Sequence, residues 1–263
     1  MARRRRKSRP LDDATREHQE AMNRAEPLRE ELLEYVEETP VGYFIRHPFC
    51  NDRINDLNCC ALIHERIDMW AAKADACFEA HDYEGYINCV EVYLQPEWFA
   101  KDADLIPDER YWHLLSGIYQ CQKYTHYSRD LFDRLFRADR PGRENLMTPE
   151  EREVLEKLPD VLTVYRGYSD DDEEGYAEGI SWTLDRRAAV WYANWNRGAE
   201  SPRVITGKVR KEQVWAYFDG GDLLLPPESV YDKRDHAAWN DDARQAWNQF
   251  IDKPFDVGQL FKA

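Results

Sequence analysis

Long apolar runs are missing from this chain of 263 residues. No stretch approaches the ~18 consecutive apolar residues of a membrane-spanning helix, and residues 1–12 lack the apolar segment of a signal peptide. We therefore expect a cytoplasmic protein with no membrane partner. Apolar residues make up 43% of the chain and aromatic residues 13%, which is enough to build a folded core.

Cysteine is scarce and unevenly placed. The six cysteines all fall in the first half, and none belongs to a Cys-x2-Cys pair of the kind that marks zinc sites. A zinc site could still be assembled from Cys50, Cys60 and His64, or from Cys77 and His81. Because Cys60 and Cys77 recur with apolar residues at helical spacing, we favour thiols that line a helix in the core and predict no metal site.

The formal net charge of the chain is −15, yet its first residues are basic. Residues 3–7 and residue 9 are all Arg or Lys. One interpretation is a solvated, disordered arm over residues 1–12. The other is a tether that attracts nucleic acid by displacing counterions from phosphate. Because the rest of the chain is acidic, weak nucleic-acid contact through residues 3–9 is the most that we expect.

The first part of the chain has the residue spacing of helices. We predict helices over residues 13–38, 52–80 and 83–94, one that starts after Pro107, and a short one over residues 148–158. Thr148 and Glu151 have the spacing of a capping box, with proline at the first helical position. These elements define a helical domain over residues 13–157.

The spacing changes at residue 158, where short strands with turn residues between them begin. Strands are predicted over residues 161–166, 180–183, 203–209 and 214–218, with a further one at 229–231. One helix is predicted over residues 185–195 and a final helix over residues 236–251. The fold class is therefore α+β, with a helical N-terminal half followed by a mixed β domain over residues 158–263.

Each predicted strand carries a polar residue that packing alone would not select. Arg166 ends an apolar strand, and its guanidinium fits phosphate or carboxylate, although a structural ion pair would use it equally well. Ser181 and Thr183 point to one face of an extended strand, as ordinary edge-strand hydroxyls also do. Asp219 and Asp222 flank a Gly-Gly pair, which is also the composition of a turn. Taken in order, these residues fit a site for an anionic ligand that bears a ribose.

The order and separation of these residues resemble those of the arginine–serine–glutamate class of ADP-ribosyltransferases. Residues 164–167 (Val-Tyr-Arg-Gly) look like the first-strand motif, and residues 179–183 with the following helix look like the Ser-x-Ser/Thr strand. Residues 214–226 are similar to the segment that ends in the family's Glu-x-Glu loop. The resemblance covers about residues 158–232, and Asp222 stands in place of the catalytic glutamate.

The resemblance implies a split β-sandwich that binds NAD, as a substrate, in the cleft between two small sheets. Arg166 would then hold the phosphate or ribose edge, and Gly167 would offer its backbone to the nicotinamide amide. Ser181 would hold the nicotinamide-side ribose, and Thr183 would brace Arg166 or the late carboxylate. Tyr192 would stack on the pyridinium ring, and a loop over residues 196–201 would cover the ligand.

The implied reaction is cleavage of the nicotinamide–ribose bond, with Asp222 stabilising the positive charge of the transition state. Asp is one methylene shorter than Glu, a misplacement of ~1 Å that can cost ~100-fold in rate. Asp219 is a candidate to share the role, and Glu228 is another. Gly220 occupies the position that orients the acceptor in the family, so the acceptor stays open.

Other readings compete with that of a mono-ADP-ribosyltransferase. The protein could be an NAD hydrolase, or a non-catalytic binding module tethered by its basic arm. A single-strand nucleic-acid binder fits less well, because the acidic run 170–174 interrupts the basic residues. That run would favour a basic acceptor, and we expect a protein rather than a nucleic acid as the acceptor. The family analogy implies an effector of bacterial or bacteriophage type, acting in the bacterial or phage-infected host cytoplasm.

Overall fold

A computed structural model describes residues 24–122, 128–169, 179–194, 201–238, 255, 256 and 258. The chain divides into two compact units, Met1–Phe99 and Ala100–Ala263. The sequence placed the domain boundary at residue 157 instead, because the periodicity changes there. The helices between residues 100 and 157 therefore belong to the same compact unit as the strands that follow them.

The first unit contains an antiparallel sheet of three strands, β1 (Val36–Thr39), β2 (Gly42–His47) and β3 (Cys50–Ile54). Thr39 pairs with Gly42, and His47 pairs with Cys50, so both connections are two-residue turns. The prediction of an entirely helical N-terminal half was wrong here. Strand pairing overrides the helical spacing that the sequence showed.

The same sheet changes the expected helices. Residues 30–35 of the expected helix 13–38 form a 3₁₀ segment, residues 36–38 lie in β1, and residues 13–23 lie outside the described residues. Helix α1 (Ala61–Glu79) begins at Ala61 rather than at residue 52, because β3 occupies residues 50–54. Helix α2 (Tyr83–Asn88) is followed by a 3₁₀ segment at Val92–Leu94, and α3 covers Gln95–Asp102.

The described cysteines of this unit form no disulfide, and Cys50, Cys60 and Cys89 are buried. His64 is buried as well, and its two ring nitrogens contact the Glu26 carboxylate at 2.6 Å and the Arg29 backbone N–H at 3.3 Å. Within the part of the chain that the structure describes, no group of three His, Cys, Asp or Glu side chains could hold a metal ion.

The second unit combines four described helices with a six-stranded sheet. The helices are α4 (Asp108–Cys121), α5 (Arg129–Phe136), α6 (Pro149–Lys157) and α7 (Arg186–Ala193). The strands are β4 (Val161–Ser169), β5 (Ser181–Thr183), β6 (Pro202–Arg210), β7 (Ala216–Phe218), β8 (Asp222–Leu224) and β9 (Tyr231–Ala237). The strand order is β7-β8-β5-β4-β6-β9, and every neighbouring pair is antiparallel. This mixture of helices and sheet is an α+β fold.

The two halves of this sheet are joined at one place. Strands β4 and β6 pair over nine residues, whereas β4 and β5 share the single pair Tyr165↔Thr183. The sequence resemblance predicted two small sheets with a cleft between them. The described strands instead pair into one sheet, whose halves β7-β8-β5 and β4-β6-β9 meet at that pair.

Both faces of the sheet are covered. On one face Leu162, Val164, Trp182, Ile205 and Leu223 form a buried core with partners from other elements. On the opposite face α7 packs against the sheet through a second cluster, made of Ala189, Val190, Ala193, Val204 and Ala238, with Tyr165 against it.

Helix α7 approaches β4 closely at Gly167. A Cβ atom added to Gly167 would collide with the backbone oxygen of Ala189 and lie 2.7 Å from the backbone nitrogen of Ala193. Only glycine allows this approach. The described surroundings of Gly167 therefore explain its identity by helix–strand packing, and its predicted contact with nicotinamide stays a prediction.

Local sequence signals fix two of the helices. Helix α6 begins with the predicted capping box, in which Thr148 Oγ1 accepts from the Glu151 N–H at 3.2 Å and Glu151 accepts from the Thr148 N–H at 2.8 Å. The predicted helix over residues 185–195 is α7, capped by Asp185, whose carboxylate accepts from the Arg187 N–H at 2.9 Å.

The predicted final helix fails at its start. His236 and Ala237 lie in β9, where they pair with Val204 and Arg203 of β6. Residues 239–250 lie outside the described residues. Across the described ranges, no helix is long and apolar enough to cross a bilayer.

Candidate active site on strands β4, β5 and β8

The three strands that carry the polar residues are neighbours in the sheet. Strand β5 lies between β8 and β4, so Ser181 and Thr183 lie between Asp222 and Arg166. Thr183 pairs directly with Asp222, and directly opposed residues point to the same face. Ser181, two residues before Thr183, shares that face. Because Tyr165 pairs with Thr183 and packs against α7, this is the face that α7 covers.

Arg166 lies where β4 and β5 separate. Its Nη1 donates a hydrogen bond to the carbonyl oxygen of Ser181. The guanidinium also lies directly over Gly179, where a Cβ atom would collide with its Nη2 and Cζ. Gly179 thus makes room for the guanidinium, and the Ser181 carbonyl fixes its direction.

Burial lowers the pKa of Arg166 from its ordinary value to about 10. The positive charge of Arg129 lowers this pKa further, while the Tyr119 phenol opposes the shift. A desolvated guanidinium that feels a second positive charge favours an anion, because an anion stabilises its charged form. Arg166 therefore has the surroundings of an anion-binding residue.

Asp222 is the carboxylate of the site. The Thr183 hydroxyl can donate to it or to the Gly221 carbonyl oxygen, which lies 3.4 Å away, and the Thr183 oxygen accepts from the Asp185 N–H at 3.1 Å. Burial raises the pKa of Asp222 to about 6; the Thr183 hydrogen bond opposes this shift, and the negative charge of Asp185 adds to it. Of the two roles predicted for Thr183, the described contacts support the bracing of the carboxylate.

Asp185 is buried but differs from Asp222 in its partner. Its carboxylate caps α7 and forms a two-pronged ion pair with Arg187, with distances of 2.7–3.0 Å between the nitrogen and oxygen atoms. The ion pair fixes Asp185 as a structural residue, and its charge then acts on Asp222. In the sequence, only the position of Asp185 just before a helix pointed to this residue.

Tyr192 of α7 reaches the same place. Its side chain is 51% exposed, yet burial raises the pKa of its hydroxyl to about 12, with the charge of Asp222 and then Tyr119 adding to the shift. Part of the Tyr192 ring therefore faces solvent, while its hydroxyl is buried in the protein. The phenol of Tyr192 is thus electrostatically coupled to Asp222.

Tyr119 is a site residue that the sequence did not reveal. It lies on α4, outside the stretch that resembles a known family, and its spacing matched an ordinary apolar helix face. Its phenol acts on the pKa of both Arg166 and Tyr192. Helix α4 therefore contributes to the site, together with Arg129 at the start of α5.

Asp219 is not brought to the other candidates by its described contacts. It is exposed; its carboxylate accepts from the Gly220 N–H at 3.0 Å, and its own N–H donates to Glu151 of α6 at 3.1 Å. Gly220 and Gly221 have φ angles of +90° and +92°, so the pair makes the turn that only glycine adopts readily. Glu228 is ion-paired with Arg137. Residues 196–200 of the predicted loop 196–201 and the acidic run 170–174 lie outside the described residues.

Comparison with known proteins does not assign this chain to a family. No protein-family model matches the chain, and no curated protein and no solved structure is significantly similar to it. A functional proposal must therefore come from the residues of the site.

Proposed function

We propose that this protein is a mono-ADP-ribosyltransferase that cleaves the nicotinamide–ribose bond of NAD and transfers ADP-ribose to a macromolecule. The observation that supports this proposal is the strand order β8-β5-β4. It places a desolvated carboxylate and two hydroxyl residues on adjacent strands, next to the point where β4 and β5 separate and the desolvated guanidinium of Arg166 lies. A ligand with a ribose between a cationic leaving group and a diphosphate needs this sequence of groups.

The guanidinium end of the site suits the phosphates. Arg166 presents charge-assisted donors in a fixed direction, because its Nη1 is held by the Ser181 carbonyl. The Ser181 hydroxyl side chain lies on the same face as Thr183 and is only partly buried. It is therefore available to the ribose, between the phosphate end and the carboxylate end.

The carboxylate end of the site suits the bond that breaks. As nicotinamide leaves, positive charge develops on the ribose, and a preorganised carboxylate in a desolvated site stabilises it strongly. With a pKa of about 6, Asp222 is mostly ionised at neutral pH. The Thr183 hydroxyl favours the charged form of this carboxylate. The exposed part of the Tyr192 ring suits a planar cationic ring.

The acceptor is the less defined part of the proposal. We favour a protein side chain over a nucleic acid, because the chain carries a net charge of −15, which repels polyanions. Hydrolysis of NAD is the second candidate. It is favoured by Gly220, which provides no side chain to orient an acceptor at the turn before Asp222.

The test is nicotinamide release from NAD by the wild type and by Arg166→Ala, Asp222→Ala and Asp219→Ala, with and without cell lysate. Loss of release in the first two variants, retention in the third, and lysate-dependent label on a macromolecule would support the transferase. Release without a labelled acceptor would mean hydrolysis. No release, and no rise in melting temperature with NAD, would overturn both.

A further inference from the structure

A phenylalanine from the C-terminal part of the chain packs against the glycine that precedes Asp222. A Cβ atom added to Gly221 would lie 2.7 Å from Cδ1 and 2.9 Å from Cε1 of the Phe255 ring. The ring therefore occupies the place where a side chain of residue 221 would lie. Among the described residues, no atom lies within 4 Å of the same position at Gly220. Phe255 thus contacts the half of the turn that leads directly into β8.

The backbone of Gly221 is held by hydrogen bonds at both of its peptide groups. Its N–H donates to the Phe218 carbonyl oxygen at 3.1 Å, and its carbonyl oxygen accepts from the Leu184 N–H at 2.8 Å. The Thr183 hydroxyl lies 3.4 Å from the same oxygen. These bonds connect the turn to the end of β7 and to the end of β5. The place of Gly221 therefore sets where β8 begins, and Asp222 is the first residue of that strand.

Phe255 and the Asp222 carboxylate lie on opposite faces of the sheet. Phe255 packs against the buried cluster that includes Trp182 and Leu223. The Asp222 side chain shares the other face with Thr183, its directly paired residue. The ring therefore acts on the carboxylate through the backbone of Gly221 and does not belong to the reacting groups.

The turn needs such support because its two glycines leave the backbone free. Gly220 and Gly221 have φ angles of +90° and +92°, and glycine has many other conformations available to it. A ring packed against Gly221 removes many of these alternatives. Asp222 depends on this restraint, because a displacement of ~1 Å at a reacting group can cost ~100-fold in rate.

We propose that Phe255 is a positioning residue, which holds the turn before β8 and thereby keeps the Asp222 carboxylate in its desolvated place. The proposal rests on the proposed function, in which Asp222 stabilises the transition state. Phe255 lies outside residues 158–232, the stretch that resembles a known family. The site would then be supported by a part of the chain that the resemblance does not include.

The first measurement needs no NAD. Asp222→Asn is introduced into the wild type, into Phe255→Ala and into Leu155→Ala, and urea unfolding of each full chain is followed at pH 7 and at pH 4. Leu155→Ala is the matched control, because Leu155 of α6 is also partly buried and packs against the same cluster. Burial raises the pKa of Asp222 to about 6, so removal of its charge should raise the urea midpoint at pH 7.

We expect this rise at pH 7 in the wild type and in Leu155→Ala, and a rise about half as large or smaller in Phe255→Ala. The reason is that a released turn lets the Asp222 carboxylate reach water, which removes part of its desolvation. At pH 4 Asp222→Asn should change the urea midpoint little in any of the three.

The second measurement is the steady-state release of nicotinamide from NAD. Phe255→Ala should lower kcat about tenfold or more and change KM less than about twofold, because a displaced Asp222 affects the transition state more than substrate binding. Phe255→Leu should restore part of the loss, since leucine fills part of the same space. Leu155→Ala should keep the wild-type kcat at a temperature at which it is folded.

The outcomes separate the positioning role from the proposed function. Equal midpoint rises in all three backgrounds would overturn the role of Phe255 even if NAD is cleaved. Equal losses of kcat in Phe255→Ala and Leu155→Ala would also overturn it, because any loss of core packing would then have the same effect. A smaller rise in Phe255→Ala, without nicotinamide release by the wild type, would support the role and remove the transferase. If Phe255→Ala does not fold, Phe255→Leu replaces it in both measurements, with changes expected in the same directions.

Discussion

Asp219 and Asp222 flank one Gly-Gly pair and occupy opposite environments. Asp219 is exposed, and its carboxylate is satisfied within its own turn by the Gly220 N–H. Asp222 is desolvated, paired to Thr183 across the strands, and has its pKa raised to about 6. The sequence offered both as candidates for the missing glutamate. The comparison shows that the sheet register, not proximity in sequence, selects the carboxylate that can act.

Two arginines of the second unit also differ in their surroundings. Arg137 is partly exposed and satisfied by Asp133 and Glu228, and its hydrogen bonds to these carboxylates raise its pKa. Arg166 is held by a neutral carbonyl, and burial lowers its pKa to about 10. Arg137 thus serves the fold, whereas Arg166 stands where an anionic ligand would lower its free energy.

Replacing each aspartate with asparagine should give the largest difference between the two residues, in the rate of nicotinamide release. Asp222→Asn keeps the shape but removes the charge that stabilises the transition state, so nicotinamide release should fall ~100-fold or more. Asp219→Asn should change the rate less than about twofold, because an exposed charge beyond the site is screened. Steady-state release of nicotinamide measures both. Equal losses would mean that Asp219 shares the chemistry.

The same pair should differ in stability. The pKa of Asp222 in the folded chain is about 6, against an ordinary value of 3.8. The folded state therefore holds this proton more tightly, and stability is lost as pH rises from about 4 to about 6. At pH 7 Asp222→Asn should raise the free energy of unfolding by about 2–3 kcal/mol.

Below pH 4 the Asp222→Asn gain should vanish, and Asp219→Asn should show no gain at any pH. Urea denaturation at a series of pH values measures this difference. A variant that is no more stable at pH 7 than at pH 4 would mean that Asp222 is not desolvated.

Replacing each arginine with lysine should distinguish the role of Arg166 from that of Arg137. Arg166→Lys keeps the charge but loses the planar fork, so ADP binding should weaken about tenfold. Arg137→Lys should leave ADP binding unchanged and lower the free energy of unfolding by less than about 1 kcal/mol, because its ion pairs are exposed. Titration calorimetry and thermal unfolding provide the two measurements. If Arg166→Lys binds ADP as tightly as the wild type, ADP makes no contact that requires the planar guanidinium of Arg166.

The smallest effect concerns the pH profile. The wild-type rate of nicotinamide release should fall as pH drops through about 6, where Asp222 takes up a proton beside Thr183, Asp185 and the phenols of Tyr192 and Tyr217. Thr183→Val removes a hydrogen bond that favours the charged form. It should move the midpoint upward by up to about one unit. Thr163→Val, on an exposed position of β4, is the control, and its midpoint should not move.

Local signals predicted much of the second unit. The capping box of α6 and the helix α7 appear where the sequence predicted them, and the strands predicted over residues 161–166 and 203–209 are β4 and β6. The α+β class follows from the same signals. They succeeded because caps, turns and apolar runs act over a few residues and depend little on distant parts of the chain.

Other predictions depended on partners far along the chain. The residues expected to be helical near Val36 pair instead with β2, and those expected to be helical at His236 pair with β6. Hydrogen bonding to an available strand outweighs a weak helical preference, and a single sequence does not show which strand is available.

The sequence by itself determined which residue types were available to a site: an arginine at the end of a strand, two hydroxyls on one face and an acid at a glycine turn. Only the tertiary structure decided that Asp222 rather than Asp219 joins them, that Thr183 supports the carboxylate, and that Tyr119 and Arg129 come from helices outside the motif strands. The physical reason is that desolvation and charge coupling depend on distances between atoms, and sheet register and helix packing set those distances across many residues of chain.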